Sequence, residues 1–154
     1  MYPTLLALHS LVRWFVLASL IIAIIRAYRG WLKHQPYTLA DERLRWITAT
    51  IAHIQLLLGI TLYFISPIVD YFLHHFKEAV VIRDIRFFGM EHVTMMLTAI
   101  ILITIGSAKA KRKPTDLEKF KTMAVWFSIA LFIIFTSIPW SFSPLISRPN
   151  FRSF

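Results

Sequence analysis

The sequence predicts an all-α integral membrane protein, a four-helix bundle with a short amphipathic helix on its outer surface. Three observations predict it. Charged residues make up 16% of the 154 and apolar residues 57%, against about 25% and 45–50% in an average soluble domain. Four apolar runs each approach the roughly 20 residues that a helix needs to cross a bilayer core. The basic residues gather in alternate connections between those runs. Mean hydropathy is +0.62, which ill suits a soluble core.

The first run predicts a helix over about 5–29, interrupted by His9, Ser10, Arg13 and Ser19 before Arg26 and Arg29 near its end. The second predicts one over about 43–66, containing His53 and Gln55. Thr38 and Asp41 ahead of it fit a capping box, in which each side chain satisfies an orphan backbone group. Ser66-Pro67 ends or kinks this helix, because proline has no amide proton to continue it. Residues 68–84 place Val69, Phe72, Leu73, Phe76 and Val80 at helical spacing, with Asp70, His74, Lys77, Glu78 and Asp84 between them. That pattern predicts a helix lying on the membrane surface. The third run predicts a helix over about 87–108, with Glu91 and His92 near its start. The fourth predicts one over about 116–139, entered through a Thr115–Glu118 capping box and closed by Pro139. No run shows the polar stripe of a soluble amphipathic helix. The tail from Ser141 to Phe154 is expected to run irregularly. Everything belongs to one transmembrane domain.

The formal charge is +9. Eleven of the 17 basic residues fall in two connections. Arg26, Arg29, Lys33, Arg43 and Arg45 lie between the first two runs. Lys109, Lys111, Arg112, Lys113, Lys119 and Lys121 lie between the last two. The positive-inside rule then puts both termini outside and these connections in the cytoplasm. The basic excess is a topology signal, with no soluble domain to bind nucleic acid. The N-terminus has no charged side chain before its apolar run, so the first helix is expected to be an uncleaved anchor. The chain has no cysteine, which excludes disulfides, thiol chemistry and cysteine-held clusters.

Ionisable groups inside a membrane cost about 2.5–3.5 kcal/mol each and are functional candidates by default. Here they are His9, Arg13, His53, Glu91 and His92. His9 and His92 both lie roughly 6–8 Å from the outer end of their helices, at about 1.5 Å per residue. His53 lies deeper. Two level histidines on different helices can ligate one metal from opposite sides, the arrangement of a haem slotted into a bundle. A bare zinc or copper ion would want three or four ligands. Arg13, one turn below His9 on the same face, is placed to meet a haem propionate or Glu91. Phe88, Met95, Met96 and Ala99 share the face of His92 and suit a porphyrin. Competing readings are structural. His53, with Thr50 on its face, is as readily a helix–helix hydrogen-bonding residue as a cofactor ligand. Arg13 and Glu91 fit an ion pair as well as a cofactor or quinone contact. The methionines fit packing. His74 and His75 face about 100° apart and do not share a ligand. Trp14, Trp31, Trp46 and Trp140 fit interfacial belts.

The stretches Leu6-Ala-Leu-His9-Ser-Leu-Val-Arg13-Trp14, Thr48-Ala-Thr-Ile-Ala-His53-Ile-Gln55 and Gly89-Met-Glu91-His92 resemble a family of short bacterial four-helix membrane proteins labelled cytochrome B. The resemblance covers nearly the whole chain. It implies haem b, with His9, His53 and His92 as the histidines available to bind it. A weaker resemblance joins Leu6 to His9 and the His92-Val93 pair to the small haem-binding membrane protoporphyrinogen oxidases. That family has a lysine after the pair, where this chain has Thr94.

The expectation is a multi-pass protein of a bacterial inner membrane with both termini periplasmic. It holds haem b between His9 and His92, with Arg13, Glu91 and His53 as further candidate cofactor contacts. It transfers electrons with quinone or other membrane redox subunits as partners, and more as an electron carrier than a stand-alone enzyme. The alternatives are a porphyrinogen-oxidising haem enzyme and a cofactor-free structural or assembly subunit.

Overall fold

A computed structural model describes residues 1–143, 146, 148 and 149. The tail expectation for residues 144, 145, 147 and 150–154 lies outside the described residues. The fold is all-α, with no strand among the described residues. Four stretches are long and apolar enough to cross a membrane: Tyr2–Leu32, Leu39–Ile65, Arg83–Lys111 and Asp116–Ser137.

Helix α1, Tyr2–Leu32, carries a proline in its first turn, where the missing amide proton costs nothing. It begins before and ends after the predicted span, and His34 at φ 52° turns the chain out of it. Helix α2, Leu39–Ile65, starts earlier than expected because its cap is real. The backbone N–H and hydroxyl of Thr38 both donate to Asp41 Oδ2, at 2.9 and 2.8 Å. Asp41 is buried and also receives Arg26 of α1 through two bonds of 2.7 and 3.0 Å. The cap thus fastens the end of α1 to the start of α2.

Past Ser66, the surface segment is not one helix. It breaks into α3 (Pro67–His74), α4 (Phe76–Ala79) and α5 (Arg83–Arg86). His75 leaves helical geometry at φ −127°, ψ 43°, with its ring stacked on Tyr71. Ile82 is extended and closes the Val80-Val81-Ile82 run, whose β-branched side chains resist a helix. The predicted faces survive only in part, since Leu73 and Phe76 of the apolar set are exposed. Val69, Phe72 and Ala79 are buried, while Asp70, His74, Lys77 and Glu78 are exposed.

The chain then enters a π-helical turn, Phe87–Glu91, and continues directly as α6, His92–Lys111. Helix α7, Asp116–Ser137, starts at Thr115, whose Oγ accepts from the Glu118 amide as expected. Packing follows chain order: α1 touches α2 and α7, and α6 touches α7 and α2. Helices α1 and α6 therefore face each other across the diagonal.

Leu20, Thr48, Ile103, Phe120, Met123 and Phe127 are the largest fully enclosed side chains. Alanines 23, 27, 52, 99, 110, 124 and 130 are also buried and let backbones approach closely, as membrane helix pairs require. Outward-facing positions are apolar too, including Phe15, Ile22, Trp46, Leu57, Phe64 and Phe132. A perimeter of this kind suits lipid contact. At the basic end, buried Arg45 donates to the Ser107 carbonyl at 3.1 Å, to the Ser107 hydroxyl and to Glu42, so it joins α2 to α6. Tyr37 donates to Glu42 at 3.1 Å.

Candidate functional site

At the opposite end, the diagonal between α1 and α6 opens into a cavity of about 340 Å³. That lies within the roughly 300–1,000 Å³ range of small-molecule sites. His9 and Arg13 of α1 line one wall, and His92, Val93 and Met96 of α6 line the opposing one. Helix α2 contributes Gln55, Gly59 and Tyr63. Ile68 and Val69 of α3 and Phe88 of the π turn also reach it.

The π turn sets the His92 wall. The His92 amide bonds the Phe87 carbonyl five residues back. Such a turn leaves a carbonyl without an intrahelical partner, and Tyr63 donates its hydroxyl to Gly89 O at 2.9 Å. Gly89 itself admits α3. A Cβ there would lie 2.3 Å from Cγ of Phe72. The wider turn also brings Arg86 and Glu91, five residues apart, into an ion pair of 2.6 Å. The carboxylate of Glu91 is thereby engaged by Arg86 and stays off the cavity wall.

The imidazoles are held differently. His92 Nδ1 lies 3.0 Å from the Ser137 carbonyl of α7. A carbonyl only accepts, so Nδ1 carries the proton and Nε2 keeps its lone pair. Among the described residues, Nε2 has no hydrogen-bond partner. His9 Nε2 lies 3.3 Å from the Gln55 amide nitrogen, which also donates to the His9 carbonyl at 3.0 Å. An amide nitrogen only donates, so His9 too presents its lone pair at Nε2. Among the described residues, His9 Nδ1 and Gln55 Oε1 are buried without hydrogen-bond partners. Gly59 keeps space beside the ring, where a Cβ would come within 3.3 Å of His9 Cε1.

Arg13 reaches Ser10 Oγ at 3.5 Å and sits against two indoles, 5.4 Å from Trp14 and 5.8 Å from Trp140. Of the expected site residues, the structure thus brings together His9, His92 and Arg13. It does not bring in His53, whose exposed ring bonds Thr104 of α6 at 2.9 Å and joins two helices. Met96 lines the cavity, whereas Met90 and Met95 do not.

Sequence reasoning passed over Gln55, Gly59, Tyr63 and Arg148. Gln55 had a visible signal, as an amide within an apolar run. Gly59 lies one turn further along the same face, at i+4.

A haem would need two opposed donors in a largely apolar slot. Two imidazoles stand on opposed helices of one largely apolar cavity, with one lone pair unengaged and the other in a long contact. Two buried polar atoms lack partners there. Among the described residues no group of three or more metal-binding side chains occurs, so a bare ion would find only an incomplete shell. The chain matches no known family, no functionally described protein and no solved structure.

Proposed function

We propose that this protein is a membrane cytochrome that holds one haem b between His9 and His92 and passes electrons, alone or within a larger redox complex. The observation that carries the reading is the placement of these two histidines on diagonally opposed helices around one cavity. Haem supplies a one-electron couple whose potential follows from ligand identity and surrounding dielectric.

The chain's own residues do the rest. The Ser137 carbonyl fixes the His92 tautomer and ring orientation, the usual service of a partner behind a ligating imidazole. Gln55 of α2 holds His9 differently, its amide donating to Nε2 itself, so this amide would have to give up that contact for Nε2 to ligate iron. Val93, Leu97, Ile100, Ile134 and Ile138 exclude water from the cavity wall. By the positive-inside rule the basic end faces the cytoplasm and the cavity lies toward the other side. Quinone and an acceptor on that side are the partners this placement favours.

Protein purified in mild detergent from haem-replete cells should show Soret and α-band features in its reduced-minus-oxidised spectrum. A flat spectrum rejects the cytochrome reading. The chain has no cysteine, so single cysteines at Lys111 and Ser141 report sidedness. Impermeant reagent added to intact spheroplasts should label the second and spare the first. The reverse pattern rejects the orientation.

A further inference from the structure

Among the described residues, the cavity wall carries charge of one sign only. Arg13 and Arg148 both line it, and none of its described lining residues is aspartate or glutamate. Apart from two imidazoles and a few amide and hydroxyl groups, the remaining wall is hydrocarbon and aromatic. A cation in such a wall interacts strongly with a negative ligand, because the low dielectric screens little.

Both guanidiniums are held in place. Arg148 stacks 5.3 Å from the centre of the Phe88 ring and donates through Nη2 to Asp84 at 3.1 Å. Asp84 is itself largely exposed and is not part of the wall. A guanidinium has five N–H donors in a planar fork that matches a carboxylate. One bond to Asp84 leaves Arg148 able to serve a second acceptor. Arg13 is braced by Ser10, Trp14 and Trp140.

We propose that the cavity selects an apolar ligand bearing carboxylates, with Arg13 and Arg148 as the residues that receive them. In a haem these groups are the two propionates, and that identification rests on the reading above. The charge argument itself does not.

The test titrates the purified full chain with iron protoporphyrin IX and, separately, with its dimethyl ester. Wild-type protein should bind the free acid at least about tenfold more tightly, the scale expected for one charge-assisted hydrogen bond. Arg13→Gln and Arg148→Gln should each weaken the acid about tenfold and leave the ester unchanged. Arg13→Lys should recover part of the loss. Unchanged thermal midpoints in the same detergent show that the variants are folded. Equal affinity of acid and ester for wild-type protein overturns the proposal while leaving haem binding intact. If neither tetrapyrrole binds, the haem reading fails, and cis-parinaric acid against its methyl ester decides the charge argument. Preference for the acid, lost in the two arginine variants, supports it. No preference, or no binding of either, overturns it.

Discussion

Replacing Gly89 by alanine puts a methyl group where the structure has no room. The new Cβ would lie 2.3 Å from Cγ of Phe72, 2.6 Å from Cδ1 and 2.8 Å from Cβ. Carbon atoms pack best at about 3.5–4.0 Å, so more than about 1 Å of movement is needed. Side-chain rotation cannot supply it, because Cβ is fixed to the backbone and Phe72 is buried at 4% exposure. Helix α3 has to back away. Overpacking of this kind costs about 1–3 kcal/mol, here toward the upper end. Alanine returns up to about 1 kcal/mol of helix propensity over glycine. The expected net loss is about 1–2 kcal/mol, or about 2–8 °C in thermal midpoint. The same shift disturbs the Tyr63–Gly89 bond and the turn that aims His92, so haem retention should fall as well. Intrinsic fluorescence during heating in detergent reads the first effect, and the haem-to-protein ratio reads the second. In a double-mutant cycle with Phe72→Ala, the pair should couple by at least about 0.5 kcal/mol. A Gly89→Ala protein as stable as wild type, with no coupling to Phe72, refutes the reasoning.

Arg45→Met leaves the Ser107 carbonyl without its donor at the α2–α6 contact and Glu42 without its ion-pair partner, with the Tyr37 hydroxyl still donating to that carboxylate. Stability should drop by about 2–3 kcal/mol, less than for a fully enclosed pair because Glu42 is partly exposed; thermal melts check this, and Glu42→Gln in the Arg45→Met background should recover part of it. His53→Ala removes only the bond to Thr104, worth about 1 kcal/mol or less, so absorbance spectra of the loaded protein should match wild type. Tyr37 lies between α1 and α2, and burial, followed by the neighbouring Glu42 carboxylate, pushes its phenol well above the usual value. Above about pH 10 the unfolded chain gives up this proton while the folded chain keeps it. Stability should therefore be fully present below that pH and fall as pH rises toward the folded-state value. Tyr37→Phe should lessen the slope of thermal midpoint against pH above 10, and identical slopes count against this account.

Much of the fold is written in local patterns that need no partner to be read. The apolar runs mark the long helices, and the Thr38 and Thr115 caps mark two of their starts. Other features arise only from packing. Nothing in Phe87-Phe-Gly-Met-Glu91 announces a π turn, and on an ordinary helix Arg86 and Glu91 would not share a face. The break of the surface segment at Val80–Ile82 was readable from three β-branched residues, but the regular apolar spacing through it argued the other way. In the site, counting residues from helix ends placed His9 and His92 at one height. Depth set His53 apart from that pair but says nothing of which neighbour a side chain turns toward, so its bond to Thr104 was not legible. Arg148 is distant in sequence and reaches the cavity only through the path of the chain after Pro139.

The account turns on His9 and His92 acting as a pair, and spectra of their variants test it most directly. His9→Ala and His92→Ala, purified separately from haem-replete cells, should each lose the haem or shift its Soret and α bands relative to wild type. His53→Ala, prepared alongside, should retain the wild-type spectrum. An unchanged spectrum in either of the first two variants contradicts the assignment of the pair.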